Sequence, residues 1–265
     1  MGSLQEPLLE EQSGSSRVRK APPRAWHEFT DENGRGKAVL TGFLLGLSCL
    51  ITPLLLLLLP SSAPWAVYYL MLVFFHVSEY LLTAAFRPDV LGWDNFLLNQ
   101  SLLYQVMIIL SWVEYWVEWA VLPISWGGVK QWGALNSLGA IVCLVGLITR
   151  ALGMATASTN FSHKIEEEKR DEHQLVTHGI YSVLRHPAYF GFFWYSVGTQ
   201  LLLANPICVV AYSAASWYFF YDRIPHEEAL LIEFFGDSYR QFRRQTYLGI
   251  PGLEFAIKLS GEHVD

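Results

Sequence analysis

The sequence predicts an all-α, polytopic integral membrane bundle, and three observations carry that prediction. Only 16% of the 265 residues are charged, against about a quarter in a water-soluble domain. Hydrophobic residues make up 52%, and mean hydropathy is +0.27. Those apolar residues gather into runs of membrane-crossing length, separated by proline corners and by two long stretches rich in ionisable groups. Inside lipid every backbone N–H and C=O needs an internal partner, so such runs imply helices. The composition excludes a soluble globule, a disordered chain, a collagen and a solenoid. A net charge of −6, with no dense basic run among aromatics outside the termini, sets nucleic acid aside as a partner.

Residues 1–37 read as a flexible polar arm, with Gly14, Ser15, Ser16, Pro22 and Pro23 and no periodicity. The arm lacks the apolar run of a secretory signal, and Glu6 stands where N-myristoylation needs Ser or Thr. Residues 38–157 form an N-terminal transmembrane half. Its first span is Ala38 to Leu59, 22 residues. Pro60 and Pro64 mark a corner, and Trp65 to Phe86 is the second span, with His76 and Glu79 expected to face protein. Phe96 to Leu122 is the third, a single bent helix or a pair, with Gln105, Glu114 and Glu118 near one face. Gly133 to Ala157 is the fourth.

Residues 158–265 form the catalytic region: a loop, a helical hairpin and a C-terminal segment. The hairpin arms are Phe190 to Leu203 and Ile207 to Phe220, hinged at Asn205-Pro206. Pro225 suits the first turn of a new amphipathic tail helix carrying Glu227, Leu230, Leu231, Phe234 and Phe235. Six crossings put the N-terminus, residues 87–95, residues 158–187 and the tail after 221 on one side. Of 18 Lys and Arg, Lys130 alone then faces the other side, so the common face is cytosolic. Cys49, Cys143 and Cys208 lie in apolar stretches without C-x-x-C spacing and read as core residues.

Chemistry is therefore expected on the common face. His163, His173, His178 and His186, four of the eight histidines, fall within one polar segment. Their spacings of ten, five and eight match no zinc pattern, which disfavours a metal. A cofactor cradle fits better, with ring nitrogens and free backbone N–H groups at Thr177-His178-Gly179 and at His186-Pro187, where proline suits a helix start. The charge run Glu166 to Glu172 reads as a solvated face. Arg223 and Glu227, four apart, are either a surface ion pair or a working couple in which a planar guanidinium grips a substrate carboxylate and Glu227 holds a cationic cofactor.

The run from Asn160 to Gly252 resembles the isoprenylcysteine carboxyl methyltransferase family. The resemblance rests on N-F-S-H at 160–163, H-Q-L-V-T-H-G-I-Y at 173–181, R-H-P-A-Y at 185–189, D-R-I-P-H-E-E at 222–228, F-F-G-D-S-Y at 234–239 and G-I-P-G at 249–252. It implies a bundle of six to eight membrane helices in the endoplasmic reticulum membrane, with a cytosolic cofactor-binding loop. It further implies a pocket for S-adenosylmethionine formed by Glu166, His173, Gln174, Leu175, Val176, Tyr181, His186, Pro187, Ala188, Tyr189 and Glu227. Arg223 meets the substrate in that reading, and Arg150 is similar to a family arginine near the active cavity, with an orienting or a structural role. The implied partners are membrane lipid and prenylated proteins ending in farnesyl- or geranylgeranyl-cysteine, whose α-carboxylate receives the methyl group. Two rival readings stand beside it. R-H-P-x-Y is shared with membrane sterol reductases that use NADPH, and Glu79, Glu114 and Glu118 inside apolar runs suit a transporter. A lateral gap between helices is expected to admit the prenyl chain, because the cofactor is polar and the prenyl group partitions into lipid.

Overall fold

The computed structural model describes residues 34–122 and 130–259, apart from the side chains of Arg35 and Leu259. Residues 1–33, most of the expected polar arm, and the last six residues lie outside it. The described chain is helical: α1 (Arg35–Ser48), α2 (Ile51–Leu58), α3 (Ala63–Phe86), α4 (Leu102–Val121), α5 (Ala134–Ala157), α6 (Pro187–Leu203), α7 (Pro206–Phe235), α8 (Asp237–Gln245) and α9 (Leu253–Leu259).

Three stretches are long and apolar enough to cross a membrane by length and composition: Gly36–Leu58, Pro60–Phe86 and Ala134–Asn160. The first turns its leucines outward, with Leu57 78% exposed and Leu54 56%, a surface that only lipid would cover. The expected unbroken first span is interrupted at Cys49-Leu50. Pro53 cannot donate to the Cys49 carbonyl, which instead accepts from the Thr52 amide at 3.1 Å and the Thr52 hydroxyl at 2.7 Å. The third expected span is shorter at its start: residues 93–96 form a 3₁₀ turn, and α4 then runs unbroken from Leu102.

A seam of glycines builds the centre. Gly139, Gly146 and Gly153 on α5 recur every seven residues and face α6, where Gly191 and Gly198 do the same. A Cβ at Gly139 would stand 2.1 Å from the Leu202 amide, and one at Gly191 would stand 2.6 Å from the Gly146 carbonyl. The two helices therefore run antiparallel at backbone contact, the small-residue packing that lipid-embedded helices favour. Around the seam, α3 packs Phe75 on Tyr195, and α4 ties to α3 through Trp112 and the Tyr68 hydroxyl at 3.1 Å.

The tail helix expected to begin at Pro225 is no separate element: α7 continues through Pro225 to Phe235. Proline removes one helical hydrogen bond there, but buried Ile224 and Phe220, packed with Phe193, Leu248 and Leu253, hold the chain helical across it. The carboxylates that suggested an ion path are also bound into the fold. Glu114 accepts the amides of Ile207 and Cys208 at 2.6 and 2.7 Å, capping α7, and Glu118 pairs with buried Lys130 at 2.6 Å. Lys130 in turn closes the end of α6 through the carbonyls of Leu203 and Ala204. The α6–α7 hairpin matches its expected hinge.

Contacts along the helices assign the loops to ends. Trp119 reaches Ser61 and Lys130 reaches Asn205 at one end. Arg87 reaches Phe161, and Arg223 reaches His163, at the other. Residues 87–95, residues 158–187 and residues 222–259 thus share one end of the bundle.

Candidate functional site

At that shared end lies a cavity with about 890 Å³ of empty space, its open mouth included. One wall is the loop from Ala157 to Tyr189. The other is the last turns of α7 and the buried face of α8. The loop is irregular because it holds no apolar period, and its shape comes from polar pins instead. The Asn160 side chain accepts from the Gln174 amide at 2.9 Å. Arg87 donates to the Phe161 carbonyl at 2.6 Å. Residues 183–185 pair with Tyr247 through backbone bonds of 3.0 and 3.1 Å. Pro187 then starts α6, its missing N–H harmless in the first turn.

Glu166, His173, Gln174, Leu175, Val176, Tyr181, His186, Pro187, Ala188, Tyr189 and Glu227 all line this one cavity. The aromatic side is Tyr181, Phe234, Phe235, Tyr239 and Phe242, with His173 edge-on to Phe235 at 5.3 Å. The polar side is Glu227, which accepts a hydrogen bond from the Tyr189 hydroxyl, and Glu166, held by Arg170 at 2.7 Å. Burial lowers the pKa of His173 against the opposing pull of Glu166. Burial likewise raises the Tyr181 phenol, with the Glu227 carboxylate adding to the effect. The buried atoms His173 Nδ1 and Tyr239 Oη make no hydrogen bond among the described residues, although a buried polar group normally finds a partner.

Arg223 lies outside the lining, at the cavity's edge. Its Nε donates to the Tyr189 hydroxyl at 2.8 Å and its Nη2 to the His163 carbonyl at 2.9 Å. Arg223 and Glu227 are bridged and not directly paired: the Tyr189 hydroxyl stands between them, donating to Glu227 and accepting from Arg223. Beneath the guanidinium, Phe219 is 5.8 Å away, and Phe219 belongs to a second, apolar cavity of about 620 Å³. That groove lies between α4, α6 and α7 and is walled by Leu103, Tyr104, Met107, Phe192, Ala215 and Phe219 among others. Arg150 does not reach either space. It is 8% exposed, grips Glu79 with Nε and Nη2, and donates from Nη1 to the Ala188 carbonyl at 3.1 Å, behind the cavity wall.

Arg185, the first residue of R-H-P-A-Y, is a clasp. It is 5% exposed, pairs with Glu228 at 2.6 Å and donates to the Thr246 carbonyl at 3.0 Å, fixing the loop to α7 and the C-terminal segment. Burial would raise the Glu228 carboxyl, but His186 and Arg185 outweigh it and hold the pKa at about 2. The sequence reading gave no cavity role to Asn160, Tyr239 or Phe242. Asn160 and Tyr239 lie inside motif blocks it had quoted, N-F-S-H and F-F-G-D-S-Y, and the recurrence of Tyr239 and Phe242 three apart was the available sign.

Comparison with known proteins bears on this geometry. Residues 139–233 match the isoprenylcysteine carboxyl methyltransferase (ICMT) family. The chain is 45% identical over 199 residues to the protein-S-isoprenylcysteine O-methyltransferase of Xenopus laevis, covering 74% of this chain and 68% of that one. It is 43% identical over 189 residues to the enzyme of the same name from Dictyostelium discoideum, covering 71% and 78%. A solved structure of a eukaryotic intramembrane Ras methyltransferase, an isoprenylcysteine carboxyl methyltransferase, superposes with a TM-score of 0.75 at 37% identity, covering 80% of this chain and 75% of that one.

Proposed function

The chain belongs to the isoprenylcysteine carboxyl methyltransferase family, and from that membership we propose how its two cavities divide the reaction. It is a membrane-embedded protein-S-isoprenylcysteine O-methyltransferase, forming a methyl ester on the carboxyl group of a C-terminal prenylcysteine. A methyltransferase needs a donor, and the polar cavity is the place we assign to S-adenosylmethionine. The residues there suit it. Aromatic side chains offer faces to a flat base, Glu166 and Glu227 offer carboxylates to hydroxyl, amine and sulfonium groups, and His173 Nδ1 and Tyr239 Oη are buried polar atoms in need of partners. When bound, it supplies an electrophilic methyl group on a sulfonium.

The apolar groove between α4, α6 and α7 is the place we assign to the farnesyl or geranylgeranyl chain, entering sideways from lipid. The observation that carries this division is the position of Arg223, which contacts Tyr189 of one cavity and Phe219 of the other. Its fork orients the substrate carboxylate between them. No general base is required, because an α-carboxyl group with a pKa of about 3.5 is already ionised at neutral pH. The protein's work is alignment and exclusion of water. The arginine's grip must stay moderate, since the carboxylate loses charge on methylation and tight ground-state pairing would raise the barrier. Tyr189 suits that need: its hydroxyl ties Arg223 to Glu227, so the guanidinium is positioned before substrate arrives.

The shared end of the bundle faces the cytosol in this reading, where S-adenosylmethionine is available, and the membrane is that of the endoplasmic reticulum. α4, α6 and the apolar part of α7 cross beside the three long apolar stretches, giving six crossings. The test is transfer of labelled methyl from S-adenosylmethionine to N-acetyl-farnesylcysteine by purified protein in lipid nanodiscs. A base-labile ester is expected. A folded protein that forms none, and binds NADPH in place of S-adenosylmethionine, would overturn the assignment of the polar cavity.

A further inference from the structure

Glu79 is a buried carboxylate in the middle of an apolar helix, and the reaction outlined above does not use it. It is 1% exposed on α3, and it accepts hydrogen bonds from three donors. Two come from Arg150, and the third is His163 Nε2 at 2.9 Å. A carboxylate can only accept, so the His163 ring carries its proton on Nε2. Deep burial of a charge is costly unless it is paired and hydrogen-bonded, and here the pairing is spent on one loop residue and one helix.

The loop residue is the informative partner. The His163 ring reaches down to Glu79 while its backbone carbonyl accepts from Arg223 Nη2 at 2.9 Å. One residue thus joins the membrane core to the arginine that faces both cavities. Its neighbours are fixed too. Arg87, at the end of α3, donates to the Phe161 carbonyl, and the Phe161 ring meets the His163 ring edge-on at 5.0 Å. Ser162 and Lys164, on either side, line the polar cavity, whereas His163 itself does not.

We propose that Glu79 and His163 are positioning residues for Arg223: the pair sets the height of the His163 carbonyl, and with it the direction in which the guanidinium presents its remaining N–H groups. This rests on Arg223 orienting the prenylcysteine carboxylate. It explains why a charged group is buried inside an apolar helix that lines neither cavity. Near-attack geometry tolerates small displacements poorly, so a loosened carbonyl affects carboxylate alignment more than cofactor affinity.

The experiment is steady-state kinetics in nanodiscs with N-acetyl-farnesylcysteine, together with calorimetric binding of S-adenosylmethionine. His163→Ala is expected to raise KM for the prenylcysteine about tenfold and to lower kcat, with S-adenosylmethionine affinity within about twofold of wild type. His163→Gln, whose amide N–H can reach Glu79, should recover most of the loss. His163→Phe keeps the ring against Phe161 but removes the donor, so it should behave as the alanine variant and serves if that one does not fold. In an Arg223→Ala background His163→Phe should add nothing, because both act through one contact. A wild-type KM in the phenylalanine variant, a parallel loss of cofactor binding, or a full additional loss beside Arg223→Ala would each overturn the proposal. If Arg223→Ala itself leaves the prenylcysteine KM unchanged, the role of Arg223 fails first, and the two failures are told apart.

Discussion

At both ends of the α6–α7 hairpin, charged groups are buried or half-buried, but they are used in opposite ways. At the hinge end, Lys130 donates to two carbonyls and the Asn205 side chain and pairs with Glu118, while Glu114 takes two backbone amides of α7. Those groups answer one another and the helix ends, so the cluster is closed. At the far end, Arg223, Tyr189 and Glu227 form a chain beside a cavity, and His173 Nδ1 and Tyr239 Oη are buried there without a hydrogen bond among the described residues. The hinge-end charges are thus spent on helix ends and on one another, whereas the far-end chain borders open space.

The largest test of that contrast is at the closed end. Lys130→Met leaves half-buried Glu118 and two buried helix-end carbonyls without their partner, and about 3–5 kcal/mol of folding stability should be lost. Thermal unfolding in nanodiscs reads it, and the folded fraction should bind S-adenosylmethionine with unchanged affinity. If stability holds while methyl transfer vanishes, the scaffold end is functional and the contrast breaks.

The second test is acid. Glu228 lies beyond the apolar part of α7, and its pKa of about 2 is below the ordinary 4.5. A depressed carboxyl pKa adds stability in full above the unfolded value and loses it as pH falls towards the folded one. Thermal stability should therefore be flat from pH 7 to 5 and decline by about 3 kcal/mol from pH 4.5 towards 2. Glu228→Gln should be less stable at neutral pH and show less of that decline.

At the open end the effects are on binding. His173→Ala should weaken S-adenosylmethionine affinity about tenfold, roughly 1.4 kcal/mol, with unfolding little changed, which calorimetry can measure. The smallest effect is expected from Glu168→Gln. That residue is exposed and no cavity uses it, so activity and stability should stay within about twofold and 0.5 kcal/mol of wild type.

Much of the site was legible because its residues are close in sequence. Glu166, His173 to Val176, Tyr181 and His186 to Tyr189, named from the motif blocks, all line one cavity, as a polar segment bounded by a helix-starting proline permits. What escaped notice was long-range. Nothing near Glu79 in the chain announces Arg150 or His163, which arrive from 71 and 84 residues away. The continuation of α7 through Pro225 was also misread, because local propensity favours a helix start at proline and tertiary packing overrode it. The seven-residue glycine spacing of α5 and α6 was present in the sequence and would have paired those helices directly. The residues of the apolar groove come from three helices and the turn before α4 and carry no motif, so only the fold brings them together.

The measurement that tests the division of labour most directly places one obstruction in each cavity. S-adenosylmethionine affinity and methylation of N-acetyl-farnesylcysteine are read for Ala215→Trp, which fills the apolar groove, and for Glu227→Ala, which strips the polar cavity. The expected result is normal cofactor affinity with a KM for the prenylcysteine raised at least about tenfold in the first. In the second, cofactor affinity falls by a similar factor and methylation is lost. Cofactor affinity lost in Ala215→Trp, or wild-type methylation in both variants, would contradict two separate sites meeting at Arg223.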